Sequence, residues 1–323
     1  MAEPVLKNDA DRMIPVIDIG PLRDGSDPVG VARQLQRASR EVGFIYVANH
    51  GIPEQDIEAA RDMAMRFFHQ PAEHKMTVAV SGAHRGFLSV GGAKMQDDAK
   101  ADLKESFVWG YESREGKTPD DHPLRGDNRW PATLPQMQSV SMDYFHKAHG
   151  VADHLMRGFA LGLDLPEDTF LKTNDAPISR ASYVYYPPQE SDTGDQFGVG
   201  PHTDFGVLTV LCQDSVGGLQ VETLDGEWIA APPIAGTLVV NVGDLLSRWT
   251  NGLYRSTPHR VINTSGKERL SLVLAYDPEP RTMIDARDVL GDDIEPNEPP
   301  ITCGDYLTWR FGKAFSHLAK DND

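Results

Sequence analysis

The sequence predicts an α+β fold in which helices precede and follow a core of short β-strands. The first half of the chain places apolar residues at helical spacings, whereas short β-rich runs separated by turn residues begin near Ser182. The last part returns to a helical pattern, roughly from Cys303 to Leu318. With 323 residues, 40% of them hydrophobic, the chain can bury a large core, which excludes a disordered tail or a small disulfide scaffold.

The first strong helical signal follows Asp27. This residue is typical of an N-cap, and Pro28 fits the first helical position because its missing N–H group has no partner there. Apolar residues then mark one face until Gly43, which we expect to end the helix. The short apolar run from Phe44 to Ala48 predicts a buried strand directly after it.

Two further helices are predicted before the β-rich part. Apolar residues from Ile57 to Phe67 form one face of a helix that stops before Pro71. The longest helical pattern runs from Met137 to Phe159 and is closed by Pro166. We expect this long helix to pack behind the core.

The β-rich part consists of seven short runs at spacings typical of a sandwich or a jelly roll. Gly-Gly, Asp-Gly, Pro-Pro and Asn-Gly pairs lie between the runs and supply turn geometries. No linker rich in Pro, Gly or Ser separates the helical part from the β part, so we expect one cooperative unit. The predicted strands are Tyr183 to Tyr186, Val207 to Cys212, Leu219 to Glu222, Trp228 to Ala231, Thr237 to Val242, Arg260 to Asn263 and Leu270 to Tyr276.

Composition restricts the partners. The formal net charge is −17, from 31 Lys and Arg against 48 Asp and Glu, and a surface this acidic repels nucleic acid and anionic lipid. A polar start without an apolar segment and only two distant cysteines, Cys212 and Cys303, fit a cytoplasmic protein and exclude a disulfide framework. A small-molecule substrate is therefore expected, with neither nucleic acid nor membrane as a partner.

The segment His202-Thr203-Asp204 is the first candidate site. Residues two apart on an extended chain point to the same face, so an imidazole and a carboxylate can converge there on one cation. His-x-Asp triplets also arise by chance, and on its own this one is equally typical of a surface strand end. His259 enters a later strand, and antiparallel pairing can bring it to the same face.

Two histidines and one carboxylate on one side of a metal leave the opposite positions open. This is the arrangement of non-haem iron(II) oxygenases. A structural zinc site instead closes its coordination with four protein ligands, often thiolates, and the chain has no cysteine cluster to supply them. The three residues therefore favour a redox-active iron centre.

Ten residues after His259, Arg269 and Ser271 form another same-face pair on a predicted strand. A guanidinium can hold a carboxylate through two parallel N–H bonds, and a hydroxyl beside it can donate a third. Such a pair suits the distal carboxylate of 2-oxoglutarate, a dianion that needs a local cation on so acidic a protein. An exposed Arg beside a Ser is the structural alternative.

Several blocks of the sequence, in order along nearly the whole chain, resemble the isopenicillin N synthase-like family of iron(II)/2-oxoglutarate-dependent oxygenases. The most specific are Asn241-Val242-Gly243-Asp244, Trp249-Thr250-Asn251-Gly252 and Ser256 to Val261. The others are Ile14 to Asp18, Gly43 to Ile52, Phe67 to Lys75, Asp102 to Phe107, Asn128 to Pro131 and Tyr185 to Pro188. The resemblance implies a double-stranded β-helix (jelly-roll) core at 176–285, a mainly helical region at 1–175 packed on it, and an extension with a helix at 286–323.

By the same resemblance, His202, Asp204 and His259 carry over as the catalytic iron ligands. Arg269 and Ser271 carry over as the anchor of 2-oxoglutarate, with Tyr186 matching a tyrosine whose hydroxyl often assists. Val184 stands where the family has an asparagine, so the cosubstrate contacts of that strand depart from the pattern. We take His50, in a tight turn after a strand, as structural.

The implied reaction uses Fe(II), 2-oxoglutarate and O2, releases succinate and CO2, and most often hydroxylates a small, partly apolar metabolite. Two alternatives stay open: an oxidase of the isopenicillin N synthase type that consumes no 2-oxoglutarate, and a non-catalytic metal-binding jelly-roll protein. Gly91-Gly92 is a candidate hinge near the site. Candidates for the substrate pocket wall are Phe87, Leu88, Phe107, Trp109, Phe205, Tyr306, Trp309 and Arg310.

Overall fold

The computed structural model describes residues 14–80, 82–91, 102–113, 115–119, 121–189, 197–263 and 265–315. Its strands, in chain order, are β1 (Val16–Asp18), β2 (Phe44–Ala48), β3 (Gly86–Leu88), β4 (Glu105–Gly110), β5 (Arg180–Tyr186), β6 (Val199–His202), β7 (Leu208–Gln213), β8 (Leu219–Glu222), β9 (Trp228–Ala230), β10 (Thr237–Val242), β11 (His259–Val261), β12 (Arg269–Tyr276), β13 (Met283–Ile284) and β14 (Ile301–Thr302). Its helices are α1 (Gly20–Asp24), α2 (Pro28–Glu41), α3 (Glu54–Phe68), α4 (Ala72–Met76), α5 (Met137–Gly162), α6 (Asp244–Trp249), α7 (Arg287–Leu290) and α8 (Cys303–Ala314).

Two sheets face each other and form the jelly roll. The larger sheet has the strand order β1-β2-β10-β7-β12-β5-β4-β3, and the smaller has the order β6-β11-β8-β9. All neighbours in these sheets are antiparallel except β1 and β2, which are parallel. The predicted fold class is confirmed, and β13 pairs with β14 as a separate ribbon.

The two faces of the larger sheet have different partners because successive side chains of a strand point in opposite directions. On β5, Tyr183 and Tyr185 lie in the hydrophobic cluster shared with the helices α2, α3 and α5. Val184 and Tyr186 instead lie in a second cluster with residues of the smaller sheet such as Val261. The inner face of the larger sheet therefore borders the space between the sheets.

The helix signals at residues 27–43 are confirmed in detail. The Asp27 carboxylate accepts a hydrogen bond from the Gly30 N–H at 2.9 Å, which satisfies one of the free donors at the start of α2. Gly43 has φ +74°, and a Cβ there would clash with the carbonyl oxygen of Arg255. Only glycine accepts both conditions, so the chain turns from α2 directly into β2.

The long helix α5 packs across α2, as its pattern predicts. Gly158 lies at the crossing, where a Cβ would come within 2.6 Å of Leu35. The two helices can therefore approach closely. Leu22 and Leu35 are fully buried beside this glycine.

Some elements differ from the sequence predictions. β6 is absent from the predicted strands because Gly200 and Pro201 weaken any strand pattern. β3 and β4 lie before residue 175, yet they join the same sheet as the core strands β5 and β12. α8 ends at Ala314, and Leu318, the predicted end of this helix, lies outside the described residues. Gly92 of the candidate hinge also lies outside them. Among the helices of the described ranges, none is long and apolar enough to cross a membrane.

Candidate active site

The structure brings His202, Asp204 and His259 together. His202 ends β6 directly opposite His259 on β11, and the two imidazole centroids are 4.3 Å apart. The Asp204 Oδ1 lies 3.7 Å from His202 Nε2 and 3.8 Å from His259 Nε2. The possible ligand atoms of the three residues all lie within 4.8 Å of one another, so one ion can contact all three. In the described part of the chain, this is the one such cluster of His, Cys, Asp or Glu.

Backbone carbonyls orient both imidazoles. His202 Nδ1 lies 2.8 Å from the Gly200 oxygen, and His259 Nδ1 lies 3.2 Å from the Thr257 oxygen. An N–H at Nδ1 donates to each carbonyl, so Nε2 is the ring atom that each histidine turns toward Asp204. Burial, helped by the charge of His259, lowers the pKa of His202 to about 3. The His202 imidazole is therefore neutral at neutral pH, as metal binding requires.

The third candidate ligand, the Asp204 carboxylate, is held by a neighbouring strand. Asn241 on β10 donates from Nδ2 to Asp204 Oδ2 at 2.8 Å, which leaves Oδ1 facing the imidazoles. Burial would raise the pKa of Asp204, but His259, His202 and the Asn241 hydrogen bond outweigh it, and the pKa is lowered. A Cβ at Gly243 would clash with the Gly206 carbonyl, so this glycine lets α6 begin against the loop that carries Asp204.

Replacing Asn241 with alanine is expected to weaken Fe(II) binding about 10- to 100-fold, because a ligand loses the partner that orients it. Anaerobic titration of the metal-free protein with Fe(II) measures this affinity. Asn128→Ala is the matched control, since its amide bonds Glu112 and Gly110 elsewhere in the fold. Equal iron affinity in Asn241→Ala and the wild type would contradict the assigned role.

Arg269 and Ser271 lie on the inner face of β12, and only 1% and 2% of their surfaces are exposed. Arg269 Nε donates to the Gly217 carbonyl at 2.6 Å, which fixes the guanidinium. Its Nη1 and the Ser271 hydroxyl are buried and have no hydrogen-bond partner among the described residues. Such unused donors are costly unless a ligand accepts from them. A carboxylate fits this pair, which is the chemistry that 2-oxoglutarate offers.

Tyr186 lies beside this anchor. It pairs with Arg269 in the β5–β12 register, and the guanidinium carbon lies 4.6 Å from the centre of its ring. Side chains alternate along β5: Val184 and Tyr186 line the pocket, whereas Tyr183 and Tyr185 face the helices. The structure thus gives Tyr186 a stacking contact with Arg269 through its ring face.

Both groups of residues open into one pocket between the sheets. Of the predicted wall residues, Leu88 and Phe205 line it. The other six lie elsewhere: Phe87, Phe107 and Trp109 pack in the core on the helix side, Tyr306 and Arg310 contact Asp244, and Trp309 is 51% exposed. Large aromatic side chains occur both in the core and in pocket walls, and the sequence pattern does not show which of the two places a given residue takes.

Sequence reasoning missed Arg180, Phe311 and Phe315, which also line the pocket. Arg180 lies an even number of positions from Val184 and Tyr186 on β5, so it shares their face of the strand. Counting back in steps of two from the inward-facing Tyr186 would have identified it. Phe311 and Phe315 are four residues apart at the end of α8 and stack on each other.

His50 was predicted to be structural. In the structure it lies in the turn after β2, where its Nδ1 accepts a hydrogen bond from the Ile52 N–H at 3.1 Å.

The fold and site together define a class: a jelly-roll protein in which two histidines and a carboxylate line the same pocket as a buried arginine and serine. Comparison with known proteins gives the family. Residues 14–133 match the family described as the N-terminal region of non-haem dioxygenase in morphine synthesis. Residues 177–278 match the 2OG-Fe(II) oxygenase superfamily.

Individual relatives agree. The 2-oxoglutarate-Fe(II) type oxidoreductase ppzC of Metarhizium rileyi is 33% identical over 94% of this chain and 87% of its own length. The homoarginine-6-hydroxylase 2-ODD-C23 of Glycine max is 36% identical over 85% of this chain and 88% of its own. The crystal structure of a full-length Neurospora crassa protein in complex with alpha-KG and thymine superposes with a TM-score of 0.84 at 29% identity, covering 95% of this chain and 98% of that one.

The chain belongs to the 2OG-Fe(II) oxygenase superfamily. It is an enzyme whose metal is Fe(II) and whose cosubstrates are 2-oxoglutarate and O2. The resemblance to the isopenicillin N synthase-like oxygenases is confirmed in that sense.

Proposed function

We propose that the enzyme hydroxylates a small-molecule metabolite, with His202, Asp204 and His259 binding Fe(II) and with Arg269 and Ser271 binding 2-oxoglutarate. The observation that carries the proposal is that three converging ligand atoms and two unused buried donors open into the same pocket. Arg269 Nη1 and the Ser271 hydroxyl have no hydrogen-bond partner among the described residues. Tyr186 supports the anchor by stacking on Arg269.

The three ligands each have a defined task. The imidazoles of His202 and His259 would bind the metal through Nε2, and the Asp204 carboxylate supplies the one negative charge. Together the three side chains would hold Fe(II) and would leave its remaining positions to cosubstrates. Bound Fe(II) supplies the activation of O2 that accompanies the oxidative decarboxylation of 2-oxoglutarate to succinate and CO2.

The anchor binds and orients the cosubstrate. Arg269 is held by Gly217 and stacked on Tyr186, so its free Nη1 points in one direction before any ligand arrives. A preorganised buried guanidinium loses little freedom on binding, and it offsets the repulsion between a dianion and a protein of charge −17. Burial also excludes water, which strengthens the ionic contact.

Hydroxylation of a small molecule is supported by two relatives. One is named as a homoarginine-6-hydroxylase, and the Neurospora crassa structure contains thymine. The pocket walls would determine which C–H bond of the substrate lies near the metal, because the cofactor chemistry itself is common to the family.

The experiment is a screen of small metabolites for substrate-stimulated release of succinate by the Fe(II)-loaded enzyme in air. A substrate should yield succinate and an oxidised product in equal amounts, and mass spectrometry should show one added oxygen atom. Oxidation without succinate would instead favour the 2-oxoglutarate-independent oxidase. Absence of a visible charge-transfer band after anaerobic addition of Fe(II) and 2-oxoglutarate would contradict the proposed binding of both at this site.

A further inference from the structure

The pocket has a second cationic end. On β5, Arg180 and Tyr186 lie on the same face, six positions apart, with Arg180 opposite Ala275 and Tyr186 opposite Arg269. At about 3.3 Å per residue, the two ends of this strand are about 20 Å apart. A five-carbon dicarboxylate held at Arg269 is far shorter than this distance. Arg180 therefore remains available to another molecule.

Arg180 carries an unused donor. Its side chain is 6% exposed, and its Nη2 lies 3.3 Å from Oδ2 of the fully buried Asp277. Its Nη1 is also buried but has no hydrogen-bond partner in the part of the chain that the structure describes. The ring of Phe311 covers the guanidinium at 4.3 Å. Arg180 also lines the pocket, so its unpartnered Nη1 is the candidate donor to a ligand bound there.

Positive charge is in excess around Arg180. Arg125 pairs with Asp121 at 2.7 Å, and Arg180 pairs with Asp277, but the Arg85 side chain donates to backbone carbonyls and has no carboxylate partner within the described ranges. Burial and the charges of Arg180 and Arg125 lower the pKa of Arg85 to about 9, so it stays protonated at neutral pH. This end of the pocket therefore favours an anion over a neutral acceptor.

Aromatic rings line the pocket near Arg180 and near the proposed iron ligands. They include the rings of Phe205 and Phe311, and Phe205 belongs to the loop that also carries Asp204. An apolar body gains from burial against such walls, and a charged group does not. Further apolar lining comes from Leu88, Val108 and Phe315.

We propose that the primary substrate is a carboxylate with an apolar body, and that Arg180 binds its carboxylate while the body lies against the aromatic wall near the iron ligands. This inference rests on the proposed function, because it takes this pocket as the active site. It assigns Arg180 as a specificity-determining residue that acts at the end of the pocket opposite to the cosubstrate anchor.

The test is calorimetric binding of matched acid and amide pairs to the full chain, under argon, with Fe(II) and 2-oxoglutarate at saturation. The probes are phenylacetate, 3-phenylpropionate and hexanoate, each with its primary amide. Saturating 2-oxoglutarate keeps these acids from Arg269. We expect at least one acid to bind about tenfold or more tightly than its amide, because a charge-assisted bond is stronger than a neutral one. Equal binding of each pair, or no binding by any acid, would overturn the proposal.

Variants locate the preference. In Arg180→Gln the acid should lose its advantage over the amide, whereas Arg157→Gln should keep it, because Arg157 pairs with Glu167 outside the pocket lining. If Arg180→Gln fails to fold because Asp277 is left without its partner, the double variant Arg180→Gln/Asp277→Asn removes both charges together. An acid preference that survives in either Arg180 variant also overturns the proposal.

The two proposals fail separately. The succinate assay tests the reaction, and the acid and amide titrations test recognition without turnover. Acid binding that depends on Arg180 in a protein that makes no succinate would reject the proposed function alone. Succinate release stimulated by neutral substrates, with no acid preference in binding, would reject the role of Arg180 alone.

Discussion

Replacing His202 or Asp204 with alanine is expected to abolish Fe(II)-dependent formation of succinate from 2-oxoglutarate. Each variant removes one of the three ligand atoms that lie within 4.8 Å of one another, and no other cluster in the described residues can replace it. The loss should exceed the effect of removing Asn241, which is about 10- to 100-fold, because a ligand is lost rather than reoriented. Iron content after desalting and the rate of succinate formation both measure the result.

The control for this prediction is His74→Ala. His74 is an exposed residue of α4, so its removal changes the histidine count and leaves the triad intact. The His74→Ala variant should retain bound iron and turnover. As a check on folding, the metal-free His202→Ala and Asp204→Ala proteins should melt within a few degrees of the metal-free wild type. Stoichiometric iron together with normal turnover in His202→Ala would place the metal elsewhere.

The convergence of these three residues could be predicted because it depends on short-range rules. Alternation along a strand puts His202 and Asp204 on one side, and antiparallel pairing then needs only one register to bring His259 opposite His202. The structure has this register, with His259 of β11 opposite His202 of β6. A similar rule placed Arg269 and Ser271 together, since both lie on the inner face of β12.

The orienting contacts could not be predicted in the same way. Asn241 reaches Asp204 from β10, 37 residues further along the chain, and only the approach of the two segments reveals the hydrogen bond. Gly243 is required by the same approach, because any side chain would displace the loop before β7. The sequence shows these residues as a recognisable block, but the need for each of them arises from tertiary packing.

The pocket wall was the least predictable part. Large aromatic residues serve both the core and the pocket, so Phe107 and Phe205 look alike in sequence although only Phe205 lines the pocket. Arg180 was missed because it begins β5 before the apolar run that marks the strand. Its inward direction is visible only once the strand is extended back to residue 180.

Replacing Arg269 with alanine is expected to raise the 2-oxoglutarate concentration needed for half-maximal turnover strongly while iron affinity stays close to that of the wild type. Removing one partner of a buried charged pair costs about 2–5 kcal/mol, which is roughly 30- to 5,000-fold in affinity. Iron affinity is retained because the Arg269 side chain contacts Gly217 and Tyr186 and none of the three proposed ligands. Anaerobic titration of the Fe(II) protein with 2-oxoglutarate, followed by the visible charge-transfer band, gives the affinity.

Two further variants separate charge from shape at this anchor. Arg269→Lys keeps the positive charge but loses the planar fork and the stack on Tyr186, so its affinity for 2-oxoglutarate should lie between those of alanine and arginine. Ser271→Ala removes one hydroxyl donor and should weaken binding only about 5-fold, the effect of a single neutral hydrogen bond of about 1 kcal/mol. Because both residues act on one carboxylate, the double variant should lose less affinity than the two single losses combined. Unchanged 2-oxoglutarate affinity in Arg269→Ala would mean that the cosubstrate carboxylate binds elsewhere, and the free Nη1 of Arg269 would need another ligand.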